Sequence, residues 1–186
     1  VLLLPFTDQL VKLSTFIVKK QKHDVIRHPE LLTLDDKLYI SPTVAVSEAT
    51  KAVAAMGAAA RDNFAKGCEQ LFAYDPSIDA EIDANEDCID QFADRADRFL
   101  IGLSKVVETQ EDDRQVDLLM QTVPNFERVG DYATNFLEMA QKMHEEKVEF
   151  SEGAKKELKI ICDAVNEILS ITVSAFNAND NEYAKK

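Results

Sequence analysis

From Ser41 onward the apolar residues recur every three or four positions, and little interrupts them. Val46, Ala49, Val53, Met56, Ala60, Phe64 and Leu71 keep that spacing to about residue 72, which is the period of an amphipathic helix. Ser41 followed by Pro42 supplies a cap and a first helical position. Five nearby alanines (52, 54, 55, 58 and 59) permit close packing against a neighbour. After the turn Tyr74-Asp75-Pro76-Ser77, a second helix is predicted over 77–107, with Ile78, Ile82, Ile89, Phe92, Ala96, Phe99 and Leu103 as its inner stripe. A third begins at Glu111-Asp112-Asp113, where acids suit the first turn, and runs to about 146. Pro124 lies inside it and is expected to kink or break it. A fourth follows over 151–177, patterned on Ala154, Leu158, Ile161, Val165, Ile168, Ile171 and Val173. With five glycines, five prolines and no strand alternation, the fold class is all-α: antiparallel helices joined by short turns. Residues 42–146 make a three-helix bundle, 147–186 begin something further, 22–41 are a linker and 1–21 a separate N-terminal segment.

Acids exceed bases by 34 to 21, a net charge of −13. Such a surface repels phosphate backbones, which argues against a nucleic-acid partner, and attracts cations. Cys68, Cys88 and Cys162 are widely spaced and odd in number. Neither a disulfide framework nor a structural zinc site is expected from them, and a reducing, cytosolic environment is the simplest reading. No run of 18 apolar residues occurs, so nothing spans a membrane by itself. The opening VLLLPFTDQLVKLSTFIVKK reads in two ways. It is either the end of an apolar helix followed by the lysines that favour the cytoplasmic side of a membrane, or an amphipathic helix packed on its own domain.

The acids are arranged. On a helical wheel Glu86, Asp97, Asp90, Asp83, Asp94 and Asp87 fall within roughly 100° of one another, with Glu86, Asp90 and Asp97 nearest the apolar boundary. Cys88 lies on the far side and is not a candidate ligand. In the third helix the column Val116, Met120, Val123 continues as Glu127, Asp131, Thr134 and Glu138, so two carboxylates enter a face that was apolar a turn earlier. Buried and unpaired they would be very costly. A hard cation held by carboxylate oxygens is one solution. Solvation, or pairing with Arg95, Arg98 and Arg128, is another. The spacing Glu-x-x-x-Asp occurs three times, at 86/90, 108/112 and 127/131; two such pairs on adjacent helices would supply four ligands. Gly130, within the last pair, costs about 1 kcal/mol against alanine in a helix and reads as a point of close approach.

The segment FERVGDYATNFLE at 126–138 resembles the ERIGDxAxNIxE signature of PhoU proteins, helical regulators of bacterial phosphate uptake. NEDCIDQFADRAD at 85–97 resembles the other metal-bearing helix of the three-helix PhoU repeat. The resemblance implies metal ligation by Glu86, Asp90, Glu127 and Asp131, with iron, zinc, manganese or magnesium as the ion. LLLPFTDQLVKLS, and then LTLDDKLYISPTVAVSEATKAVAAM, are similar to the junction in bacterial type II sodium–phosphate cotransporters, where a membrane domain gives way to a C-terminal PhoU-like domain. This implies a regulatory domain on the cytoplasmic side of the cell membrane, with the transporter domain of the same polypeptide as its partner. Tyr132 departs from the signature, which often has His there. The fourth helix would begin a second, incomplete PhoU-like bundle, and its apolar face is expected to be exposed unless another chain, such as a second copy in a homo-oligomer, covers it.

A di-iron carboxylate enzyme would need Glu-x-x-His on two helices, and His23, His28 and His144 lack the upstream Glu. No nucleophile–base set or glycine-rich phosphate loop occurs either, so no enzymatic activity is expected. The rival reading is a metal-free helical interaction module that docks on a membrane protein.

Overall fold

The computed structural model describes residues 34–178, and these are helical with short connections and no strand. The segment 1–21, the linker up to residue 33 and the residues from 179 onward lie outside the described residues. A short 3-10 helix, Asp36–Ile40, leads into α1 (Pro42–Phe72); a second, Pro76–Ile78, leads into α2 (Asp79–Leu103), followed by α3 (Gln110–Glu146) and α4 (Glu152–Ala178). The helices lie within a few residues of those predicted. The second is shorter than the 77–107 read from the sequence, because its first turn is 3-10 and residues 104–106 are a turn.

The caps follow from local chemistry. Asp75 accepts from the Ser77 amide at 2.9 Å, and the Thr109 hydroxyl accepts from the Asp112 amide at 3.0 Å, satisfying amides that the first helical turn leaves unpaired. Lys147 ends α3 in the left-handed region (φ 55°), its amide returning to the carbonyls of Met143 and His144. Pro124 does not break α3, which runs through it without interruption. Beside it, Thr122 Oγ1 donates to the Leu118 carbonyl and Asn125 Nδ2 to the Gln121 carbonyl, both at 2.7 Å.

The core lies where α1, α2 and α3 meet, around Val53, Met56, Leu100, Leu103, Val116, Leu119 and Val123, all essentially inaccessible. Helices α1 and α3 approach closely because glycine allows it. A Cβ on Gly67 would stand 2.8 Å from the backbone of Ala133, and one on Gly57 2.6 Å from the Phe126 ring. Buried within the interface, Asn63 donates to the Ile82 carbonyl and accepts from Asn85, each at 3.1 Å.

Helix α4 packs on α1 through Leu158, Cys162, Val165 and Leu169, which meet Phe64 and Cys68. Near its far end Phe176 lies edge-on to Phe126, centroids 5.9 Å apart. The facing column therefore differs from the predicted stripe: Cys162 is buried, whereas Ile161 and Ile168 are 59% and 61% exposed. Ile160 is also exposed, so α4 presents an uncovered apolar face.

Candidate metal centre

Glu86 and Asp90 stand one turn apart on α2, and Asp131 faces them from α3. One carboxylate oxygen from each lies within 4.8 Å of the others. What brings the helices together here is the glycine beside Asp131. Gly130 is buried against Ile89, and a Cβ at that position would sit 3.1 Å from Ile89 Cδ1. Ile89, between the two α2 acids in sequence, is itself buried in the core. The glycine thus removes bulk at the α2–α3 contact directly beneath the carboxylates, and the helical cost of Gly130 has a packing return.

Glu86 and Asp131 are partly buried, and Asp90 is exposed at the rim. Among the described residues no Lys or Arg pairs with any of these acids. Of the three arginines that could have done so, Arg95 donates to the Leu34 carbonyl at 3.2 Å, and Arg98 pairs with Asp94 at 3.5 Å. The electrostatics follow. Burial, then the charges of Asp90, Asp87 and Asp131, raise the Glu86 pKa to about 7. Burial and then Asp131 push Asp90 above its ordinary range. Neighbouring like charges and lost hydration both disfavour the ionised form.

Glu127, the fourth expected ligand, stands one turn before Asp131 and outside the set of three whose oxygens converge. It is nonetheless in the same field: burial first, and then Asp90, Asp131, Asp97 and Asp94, raise its pKa. Asp97 is likewise raised, by burial and by Asp94. The acidic strip therefore continues along α2 past the three-carboxylate cluster, on the side that the helical wheel indicated. The third Glu-x-x-x-Asp pair forms no site. Asp112 is buried and accepts from Thr43 Oγ1 at 3.0 Å, tying the start of α3 to the start of α1, and Glu108 precedes the helix.

The donor set is all oxygen, from carboxylates on two helices, with no cationic side chain among the described residues paired to it. Such a set fits a hard di- or trivalent cation, which would offset the repulsion that raises Glu86. These residues belong to a recognisable unit. Residues 53–140 match the PhoU domain. The match begins within α1, ends within α3 and includes all four acids, and it supports a PhoU-like domain built as an all-α bundle. No curated protein and no solved structure matches the chain. No helix among the described residues is long and apolar enough to cross a membrane.

Sequence reasoning missed three polar arrangements: the Asn63–Asn85 pair, the Thr43–Asp112 bond, and Asp79, which accepts from Tyr74 at 2.7 Å and Gln141 at 2.9 Å. Each joins residues distant in the chain. Only the interruption of an apolar stripe by Asn63 was a visible signal.

Proposed function

We propose that this chain is a regulatory, metal-binding PhoU-like domain serving phosphate homeostasis. It acts on the cytoplasmic side of the cell membrane, in company with a sodium-dependent phosphate transporter domain of the same polypeptide. The observation that carries the metal assignment is the convergence of Glu86, Asp90 and Asp131 within 4.8 Å inside the segment that matches the PhoU domain. In this reading Glu86, Asp90 and Asp131 hold the ion, and Glu127 extends the carboxylate field beside it. Manganese, magnesium and iron suit the oxygen donors best, and zinc is also compatible with them. The ion neutralises the strip and fixes α2 against α3.

The transporter assignment rests on the resemblance of the N-terminal flank and the 32–56 segment to the cotransporter junction. It is tested by phosphate flux through the intact transporter with and without residues 42–186. An altered phosphate response on deletion supports the regulatory role; unchanged flux and response remove it. A second reading, a metal-free helical module docking on a membrane protein, is favoured by one observation, the exposed isoleucines of α4. Metal content of the purified protein separates the two.

A further inference from the structure

Two of the three cysteines, 68 on α1 and 162 on α4, meet in the folded chain. Both are buried, at 3% and 5% exposure, in the cluster that attaches α4 to the bundle. Phe64 is the third buried member of that cluster; burial first, and then the neighbouring Cys162, holds the Cys68 thiol far above the usual range. Cys88 is on α2 and packs against the main core instead. None of the three is in a disulfide.

The geometry points to an oxidation-sensitive latch: Cys68 and Cys162 form a disulfide that fastens α4 to α1. The attachment of α4 makes such a latch consequential. One face carries the Leu158, Cys162, Val165 and Leu169 contacts, while Ile160, Ile161 and Ile168 on another remain uncovered. An element held along one narrow apolar column opens at lower free energy than the core does. In the closed, reduced state both thiols are shielded from water and from oxidants, so they are inert. When α4 lifts, one sulfur reaches water and ionises. The oxidant is a hydroperoxide. The thiolate attacks its distal oxygen, an alcohol or water leaves, and a sulfenic acid forms. On re-docking, the other thiol's sulfur displaces hydroxide from the sulfenic sulfur, giving the S–S bond and a second water. Overall, two thiols give up two electrons and two protons to one hydroperoxide. A thiol reductant reverses the step.

The test uses the whole chain treated with hydrogen peroxide, quenched with an alkylating agent and digested for mass spectrometry. A linked peptide pair containing Cys68 and Cys162, two hydrogens lighter than the free thiols, is expected, with Cys88 outside the crosslink. Closing so long a loop raises the melting temperature by on the order of 10 °C, and dithiothreitol returns it to the starting value. Cys88→Ser retains the shift and Cys162→Ala loses it; comparing wild type with and without reductant needs no variant at all. The latch is overturned if Cys68 and Cys162 remain thiols at a peroxide dose that oxidises Cys88, or if the linked protein melts no higher than the reduced one.

Discussion

Replacing Glu86 by Gln in metal-free protein isolates the cost of holding that carboxylate among its neighbours. In the folded chain its pKa is about 7, against an ordinary value of 4.5. The folded state therefore binds this proton more tightly than the unfolded chain does. The favourable contribution is fully present below about pH 4.5 and is lost as pH rises through 7. Over that window linkage sets a ceiling of about 3 kcal/mol. Because the side chain is only partly buried, solvent screening brings the figure down to about 1–2 kcal/mol. Glutamine keeps the shape and abolishes the titration. At pH 7.5, in chelator, Glu86→Gln is expected to melt higher than wild type, by about 2–6 °C for a chain of this length. At pH 4.5 the two should coincide. Adding a divalent cation should reverse the order at pH 7.5, since the ion stabilises the wild type and the variant has lost a donor. Thermal melts at the two pH values, with chelator and with excess cation, read all of this. If the variant in chelator were less stable than wild type at pH 7.5, the strained-carboxylate account would be refuted.

Two glycines that look alike in the sequence should behave differently. Gly67→Ala presses a methyl group to 2.8 Å from the Ala133 backbone, which cannot rotate away, so α1 and α3 must separate. A loss of about 1–3 kcal/mol in urea-derived stability is expected. Gly130→Ala meets only the Ile89 side chain at 3.1 Å; the gain of about 1 kcal/mol in helix propensity offsets the crowding, leaving stability within about 1 kcal/mol of wild type. Asn63→Ala leaves the buried Ile82 carbonyl and Asn85 without their shared partner and should cost about 1–3 kcal/mol by the same measurement.

The helices were legible because their signal is local. The spacing of Val46 through Leu71 and the Tyr74–Ser77 turn require no tertiary partner, and both appear as predicted. The candidate site was legible on each helix separately: the wheel put Glu86 and Asp90 at the apolar boundary, and the column through Val123 led to Glu127 and Asp131. What the sequence could not decide was how the two columns face each other. Asp131 turns toward α2 at the height of Glu86 and Asp90, while Glu127, a turn earlier, stands outside the converging set. Helix α4 shows the same limit. It carries two apolar columns, one through Leu158, Cys162, Val165 and Leu169 and another through Ile161 and Ile168, and periodicity alone does not choose between them. The choice is made by α1, where Phe64 and Cys68 present the complementary surface. Cys68 and Cys162 looked unrelated for the same reason. At Pro124 a local rule gave a kink or a break as the alternatives, and the helix is not broken there.

The most direct test of the cation site is a manganese titration of metal-free protein by calorimetry, run in parallel on wild type, Asp131→Asn and Glu127→Gln. Neither substitution removes packing, and both relieve repulsion, so folding is preserved. Saturable binding of at least one ion per chain is predicted for wild type, with loss of that binding in Asp131→Asn and a smaller weakening in Glu127→Gln. Uptake that fails to saturate, or that is the same in wild type and Asp131→Asn, would contradict a cation held between α2 and α3.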